Sequence, residues 1–296
     1  MVVNRIWQQF FGVGLVKTSE DFGAQGEWPS HPELLDWLAR DFVASGWDVK
    51  QLVEQIVLSS AYRQDSATSL ELNERDPENR LLARGPRVRL PAEIIRDQAL
   101  FAAGLLNRSV GGPSVFPYQP RGYYDGVVVG ADYPGTSWVD DPEDGLCRRS
   151  LYTFWKRTAL HPAMLNFDAP DREFCTVRRY ATNTPLQALN LLNDPTYIEA
   201  TRKLAERAIA HAEQDSERIR YLLRTVVSRE PTHKESHTLV DLLKGMRSEY
   251  QASATESAEL LSVGESARQS EVESSELASW TVIASAVLNL DEAVNH

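Results

Sequence analysis

Residues 30–57 read SHPELLDWLARDFVASGWDVKQLVEQIV, a pattern that predicts two helices joined by a short turn. Ser30 and Glu33 have the spacing of a capping box, and Gly46 stands where the first helix would end. Asp48 is placed to cap the second helix. Apolar residues recur at helical spacing in both segments: Leu34, Leu35, Leu38 and Phe42, then Val49, Leu52, Val53, Ile56 and Val57. With about three residues between them, the two helices should pair as an antiparallel hairpin.

Helix signals also dominate the second half of the chain. Thr184-Pro185 and Asp194-Pro195 each combine a capping residue with a proline at the first helical position. They predict a short helix with leucines at 186, 189 and 192, then a longer one to about residue 211. Thr232 begins a second capping box, and further helices are expected over 91–106, 216–228 and 276–290. Residues 248–279 have the Ser- and Glu-rich composition of a disordered segment, with a short helix around Leu260 as the alternative.

The helix predicted from Pro91 is followed by a segment without regular structure. On the helix, the spacing predicts a buried side formed by Ile94, Ile95, Phe101 and Leu105. Residues 107–146 are different in kind, because glycines and prolines break any regular period, and the three valines at 127–129 are the candidate for a short strand. An irregular connection of this length in a compact domain is usually functional or mobile.

The predicted fold class is mainly α. We expect a helical domain of αα-hairpins with a long irregular Gly/Pro-rich middle segment and at most a few short strands. The sequence favours a single domain over residues 1–296, with the 107–146 segment as the place where a sub-boundary would fall.

The composition limits the classes of function. Asp and Glu number 42 against 31 Lys and Arg, and the formal net charge of −11 argues against a general nucleic-acid binder. A membrane-spanning helix needs about 18 consecutive apolar residues, and the sequence has no such run. Two cysteines exclude a disulfide-rich mini-fold and a four-thiolate zinc site, and no metal site is predicted. Cys147 and Cys175 are either a disulfide or two thiols.

Arginines concentrate in two locally basic stretches, residues 80–92 and 148–179. A guanidinium group makes bidentate hydrogen bonds to carboxylate, sulfate or phosphate, so these stretches are candidates for an anion site. The candidate ligand-binding residues are Arg87, Arg89, Arg149, Arg157, Arg172, Arg178 and Arg179. An alternative remains equally open, in which these arginines neutralise helix C-termini and acidic neighbours within the fold.

The densest group of polar residues lies at 161–175, and it contains the catalytic candidates His161, Asp168 and Asp171. Two carboxylates three residues apart, with arginines beside them, can provide a general acid and an ionised partner. Asp-Pro and Pro-Asp pairs more commonly serve turns, so a structural role is favoured for both aspartates. Redox chemistry through the two cysteines is disfavoured, because they lack a Cys-x-x-Cys arrangement.

Nine short motifs, spread over the whole chain, together resemble one known family. They are residues 4–7 (NRIW), 11–16 (FGVGLV), 21–23 (DFG), 31–38 (HPELLDWL), 149–152 (RSLY), 167–171 (FDAPD), 182–189 (TNTPLQAL), 192–195 (LNDP) and 288–292 (LNLDE). In this order they resemble the PSD1 family, also called DUF1553, of planctomycete and related bacterial proteins.

The resemblance implies which domains accompany this one and where the protein is located, and it implies no activity. Such domains look like the C-terminal part of extracytoplasmic proteins that carry DUF1549-like and cytochrome-c-like domains upstream, so haem c is expected there and no cofactor in this chain. The location implied is periplasmic or extracellular. The first motif is already under way at Met1, so we expect a fragment of a longer protein, in which a missing signal peptide says little about the compartment. No catalytic residues carry over from the family.

Two functions follow from these observations. The first is a non-catalytic helical module that docks to the upstream domains. The second is the binding or hydrolysis of an acidic or sulfated polysaccharide, a substrate class suggested by the sulfatase-like genes that often neighbour relatives of this family. It requires the candidate arginines to converge on one cleft.

Overall fold

The computed structural model describes residues 1–124, 138–269 and 271–295. These residues form α-helices and one 3₁₀ helix, Ser150–Tyr152, and their strand pairing is limited to isolated bridges. The helices are α1 (Val2–Phe11), α2 (Pro32–Ala44), α3 (Val49–Leu58), α4 (Leu70–Arg75), α5 (Ala92–Ala103), α6 (Glu143–Leu146), α7 (Pro162–Asn166), α8 (Pro185–Asn193), α9 (Pro195–His211), α10 (Asp215–Val227), α11 (His233–Ala252), α12 (Ala254–Leu261), α13 (Ser274–Leu288) and α14 (Asp291–Val294). The mainly α fold class is confirmed. The candidate strand at 127–129 lies outside the described residues.

The chain divides into two compact units. Unit 1 comprises Met1–Arg89, Cys175–Arg179 and Asn295–His296, and unit 2 comprises Leu90–Phe174 and Tyr180–Val294. The described parts of the 107–146 segment belong to unit 2. A single domain over residues 1–296 stays a prediction. No described helix has the length and apolar content needed to cross a membrane.

Unit 1 is built on the helices predicted from residues 30–57. Leu38 and Phe42 of α2 and Leu52 and Ile56 of α3 are buried, and they form one core with Trp7 of α1. Gln55 of α3 also donates to the Asp41 carboxylate of α2 at 2.7 Å. The helical periodicity of the sequence therefore identified the parts of this core that come from α2 and α3, except for Val49, which is 50% exposed.

The sequence predicted two helix caps in unit 1, at Ser30 and Asp48, and the structure confirms only the second. The Asp48 cap is confirmed, because its carboxylate accepts from the backbone N–H groups of Lys50 and Gln51 at 2.9 and 3.1 Å. The capping box at Ser30 is wrong. His31 is the N-cap of α2, and the Ser30 hydroxyl instead donates to the carbonyl of Leu15 at 3.3 Å. The Ser30 backbone N–H also donates to Leu15, at 2.8 Å, so this residue belongs to the preceding loop rather than to the helix.

The motifs at 4–7 and 11–16 are joined by a buried asparagine. Asn4 is fully buried, its Nδ2 donates to the Val16 carbonyl at 3.0 Å, and its Oδ1 accepts from the Val16 N–H at 2.8 Å. A Cβ atom at Gly14 would lie 2.5 Å from the Asn4 Nδ2. Position 14 is therefore a glycine because the asparagine occupies the space of a side chain.

Unit 2 centres on α9 and α13, which pack against each other. Ala200, Leu204, Ala205 and Ala208 of α9 are fully buried, and they face a core that includes Trp280 of α13. Helices α5, α10, α11 and α12 complete this core. The sequence had left residues 248–279 between disorder and a short helix. The structure contains the end of α11, the short helix α12 and the start of α13 there.

The predicted buried side of α5 is wrong in part. Ile95 is 4% exposed, whereas Ile94 and Phe101 are 45% and 57% exposed. The buried stripe also contains Ala92, Ala99, Ala102 and Ala103. Small side chains let α5 approach α9 closely through this stripe, and that packing turns Ile94 and Phe101 toward solvent. The helix ends at Ala103 rather than at the expected residue 106. Gly104, with a φ of 77°, is its C-cap.

The second capping box is confirmed and is reinforced by an arginine. Thr232 accepts from the Glu235 N–H at 3.2 Å, and the Glu235 carboxylate accepts from the Thr232 N–H at 2.7 Å. Arg229 donates to the same carboxylate at 2.6 and 2.9 Å. The Arg229 hydrogen bonds, with those from Thr232, lower the pKa of Glu235 to about 2.

We expect Glu235→Gln to lower the free energy of unfolding by about 1 kcal/mol at pH 7, as the loss of a cap and of an exposed ion pair usually does. Because the folded-state pKa is depressed, the stabilisation by Glu235 is complete above the unfolded value of about 4.3. It is lost as the pH falls toward 2. Urea unfolding at pH 7 and pH 3 should therefore show a smaller difference between the two proteins at pH 3. Glu213→Gln, at an exposed position, is the control and should show no such trend. An equal difference at both pH values would contradict this assignment.

Candidate functional site

The motifs FDAPD and TNTPLQAL meet in unit 2. Asp168 has a φ of 58°, and its carboxylate accepts from the Thr182 N–H at 2.8 Å and from the Thr182 hydroxyl at 2.8 and 3.0 Å. Gln187, only 3% exposed, donates to the carbonyl of Asn166 at 2.9 Å and to the Thr182 hydroxyl at 3.2 Å. The Asn166 amide donates to Asn190 of α8 at 3.2 Å. This polar junction attaches α8 to the turn that follows α7.

Helix α8 has the reverse of the usual amphipathic arrangement. It buries Gln187 and Leu191, while Leu186, Leu189 and Leu192 are 54%, 53% and 44% exposed. Further exposed apolar side chains of unit 2 lie in the neighbouring sequence: Leu165, Phe174 and Tyr180, at 51%, 73% and 77%. Large apolar side chains exposed together are typical of an interaction surface. We call the three leucines of α8 the leucine face.

Asp171 also serves a turn. Its carboxylate accepts from the Glu173 N–H at 2.9 Å, and its carbonyl accepts from the Trp155 indole at 3.3 Å. The Arg172 guanidinium lies over the Trp155 ring, 4.1 Å from the ring centroid. Both candidate carboxylates, Asp168 and Asp171, thus hold backbone N–H groups, which is the structural role that the sequence favoured. A catalytic role for either stays a prediction.

His161 is buried at 3% exposure, beside Trp138. Its Nε2 lies 2.8 Å from the carbonyl of Tyr118 and donates to it, because a carbonyl oxygen only accepts. Nδ1 has no hydrogen-bond partner among the described residues. Burial lowers the pKa of His161 to about 4, so the ring is neutral at pH 7. A catalytic role for this histidine would require a substrate group to reach Nδ1.

The seven candidate arginines fall into both units. Arg87, Arg89, Arg178 and Arg179 belong to unit 1, whereas Arg149, Arg157 and Arg172 belong to unit 2. Convergence of all seven on one cleft therefore stays a prediction. Within unit 2, Arg149 lines a groove of about 490 Å³ together with Arg108. Arg108 lies outside both basic stretches, and the bridge between Asn107 and Arg148 brings it beside Arg149.

The remaining candidate residues are the two cysteines and the side-chain types that bind metals. Cys147 is buried and Cys175 is exposed, and both are reduced thiols rather than a disulfide. Over residues 1–124, 138–269 and 271–295, no three His, Cys, Asp or Glu side chains lie together as a metal site would require.

The fold and these sites define a mainly α-helical protein whose motif residues build turns, a polar junction and helix caps. The chain belongs to the PSD1 family, described as a protein of unknown function (DUF1553), whose model matches residues 1–243. The family resemblance is thereby confirmed, and eight of the nine motifs lie within the match, whereas the motif at 288–292 lies outside it. No curated protein and no solved structure matches the chain.

Proposed function

We propose that this chain is a protein-docking module and that the leucine face of α8 is its contact surface. The observation that supports this function is the inverted helix, which buries Gln187 and exposes three leucines. Fully burying a leucine side chain contributes about 1.5–3 kcal/mol, and leucines that are about half exposed have roughly half of that left to gain. A partner that covers Leu186, Leu189 and Leu192 would thus gain enough apolar burial to bind, whereas free α8 keeps these leucines in water.

The partner we propose is an upstream domain of the same protein or assembly. The motif resemblance implies a DUF1549-like domain and a cytochrome-c-like domain upstream, in a periplasmic or extracellular protein. We take the DUF1549-like domain as the direct contact of the leucine face. Haem would then belong to the cytochrome-c-like partner, and this chain would supply a surface rather than a cofactor site.

Binding of this chain to the separately purified DUF1549-like portion tests the proposal. We expect a dissociation constant in the micromolar range or tighter, measured by calorimetry. Leu186→Glu and Leu189→Glu should each weaken binding at least tenfold, about 1.4 kcal/mol, because each places a charge in the apolar contact. Association with the cytochrome-c-like portion is measured in parallel.

Leu58→Glu is the matched control, because Leu58 ends α3 in unit 1 and is 60% exposed. This variant should bind like the unmodified chain, and all three should keep the helical circular dichroism spectrum. The docking function would be refuted by wild-type chain that fails to associate at micromolar concentration. Equal weakening by Leu58→Glu would refute the assignment to α8.

The polysaccharide hypothesis stays a prediction in its full form, since its candidate arginines belong to two units. One of them, Arg149, lines a groove within unit 2. Anion binding in that groove is a narrower hypothesis, and it does not depend on docking through α8.

A further inference from the structure

A groove of about 490 Å³ lies along the exposed side of α5 in unit 2. Ile94 and Phe101 give it an apolar side, and both are the side chains that the packing of α5 turns toward solvent. Arg108 and Arg149 give it two guanidinium groups, and Gln98 adds an amide. The volume lies within the range of about 300–1,000 Å³ that is common for small-ligand sites.

The backbone on both sides of Arg149 is held by buried groups of α5. Arg96, 2% exposed, donates to the carbonyl of Arg148 at 2.9 Å and to the hydroxyl of Ser150 at 3.1 Å. The Asp97 carboxylate accepts from the Ser150 N–H at 2.7 Å. The chain thus uses a buried arginine and its neighbouring aspartate to fix the residues that flank Arg149. A site that is organised before the ligand arrives loses less entropy on binding.

The positive charge of the groove is not neutralised within the described residues. Neither Arg108 nor Arg149 has a carboxylate within ion-pair distance in the part of the chain that the structure describes. Asp97 also lines the groove, but it is engaged by Ser150 and lies 3.9 Å from Arg96. Two guanidinium groups without an acidic partner, in a protein of net charge −11, form a local site for an anion.

The apolar side of the groove indicates more than a bare anion. Phe101 is 57% exposed, and Arg108 lies over its ring, with Cζ 5.6 Å from the centroid. The Gln98 Nε2 donates to the carbonyls of Val226 and Ala293, both at 3.3 Å, so its Oε1 is left as an acceptor. A ligand that fits this set has an oxyanion, an apolar face and a hydroxyl donor. A sugar ring with an acidic substituent has all three.

We propose that this groove binds an acidic sugar, with the oxyanion on Arg108 and Arg149 and the C–H face of the ring on Phe101. The shared chemistry is a carboxylate or a sulfate attached to a hexose ring. In either case, Gln98 accepts a hydrogen bond from a ring hydroxyl. The groove holds about one or two rings at its volume, so an internal residue of a polysaccharide or a short oligosaccharide would fit.

Calorimetric titration of the whole chain tests this assignment with four probes: trigalacturonate, a sulfated galactose trisaccharide, neutral galactotriose and sodium sulfate. We expect binding of at least one acidic trisaccharide at least tenfold tighter than galactotriose, weakening as the salt concentration rises. Preference between the first two probes identifies the oxyanion as carboxylate or sulfate. Arg108→Ala and Arg149→Ala should each weaken this binding at least tenfold.

Two further variants distinguish binding in the groove from nonspecific electrostatic attraction of the probes. Phe101→Ala should weaken the acidic trisaccharide more than sodium sulfate, because both lose the support that the ring gives Arg108 but only the sugar also loses its own contact with the ring. Arg224→Gln is the matched control, an exposed arginine of unit 2 outside the groove and outside the candidate set, and should leave binding unchanged. The assignment is overturned if neither acidic trisaccharide binds at 10 mM probe concentration (roughly the weak limit for such sites). Binding of sodium sulfate as tightly as the trisaccharides, or equal losses in Arg224→Gln, also overturns it. None of these results depends on α8 or its partner, so the docking proposal stands or falls separately.

Discussion

Arg202→Met is expected to lower the free energy of unfolding of unit 2 by about 3–5 kcal/mol, because it leaves the buried Glu199 without its cation and Glu206 with Lys203 alone. Arg202 is 1% exposed, and its guanidinium lies 3.9 Å from Glu199 and 3.8 Å from Glu206. Both glutamates are themselves at most 3% exposed. Arg202 also donates to the carbonyl and hydroxyl of Ser266, at 2.9 and 3.0 Å. The variant therefore loses the tie between α9 and the loop after α12 as well.

Urea unfolding followed by circular dichroism measures this loss, and hydrogen exchange of α9 amides assigns it to unit 2. The control is Arg220→Met. Arg220 is 44% exposed and contacts Glu217 and Glu230, so its loss should cost far less than that of Arg202. Equal losses of unfolding free energy in Arg202→Met and Arg220→Met would contradict the conclusion that burial of the arginine determines the size of the loss.

A combined variant tests the cause of the Arg202 effect. Adding Glu199→Gln to Arg202→Met removes the buried charge that has lost its cation, whereas Glu206 keeps Lys203, so much of the lost stability should return. No recovery would mean that the hydrogen bonds to Ser266, rather than the buried charge, account for the loss.

Trp280→Ala is expected to cost about 3–5 kcal/mol, because it opens a cavity at the centre of the unit 2 core. The Trp280 side chain is fully buried between α13 and its neighbours. Its indole N–H donates to the Glu276 carboxylate at 2.8 Å, and the Arg218 guanidinium lies 5.5 Å from the ring centroid. Arg247 donates to the same Glu276 at 2.6 and 2.7 Å, so the ring is packed beneath an ionic network.

Thermal unfolding and hydrogen exchange of α13 measure this effect. Trp280→Phe keeps most of the volume and removes the indole donor, so it should cost about 1–2 kcal/mol. Phe174→Ala, at a position 73% exposed, is the control and should change stability by about 0.5 kcal/mol or less. A Trp280→Ala variant as stable as Phe174→Ala would show that this core is not where the structure places it.

Where caps and prolines stand beside helical spacing, the sequence predicted the helices well. Asp48, Thr232, Pro185 and Pro195 each begin a helix close to the expected residue. The reason is that a cap acts on backbone groups within three residues of itself, so its effect can be read locally. Ser30 is the exception, because its backbone and hydroxyl bond to Leu15, a partner 15 residues away.

The candidate sites were less accessible to sequence reasoning. Asp171 follows Pro170 and holds the Glu173 N–H, as its Pro-Asp pair indicated, whereas the partner of Asp168 is Thr182, 14 residues away, which the local sequence does not show. The leucine face was not predicted, because leucines at helical spacing usually mark a buried side. The groove was not predicted either, since Arg108 stands alone in the sequence and Phe101 was assigned to the core.

The sequence by itself determined the mainly α fold class, the position of most helices and the family to which the chain belongs. Only the tertiary structure decided which face of each helix is buried. Helix α5 packs through alanines and exposes Ile94 and Phe101, and α8 packs through Gln187 and exposes its leucines. The physical reason is that helix formation depends on neighbours along the chain, whereas burial depends on the surface that a distant segment brings against the helix.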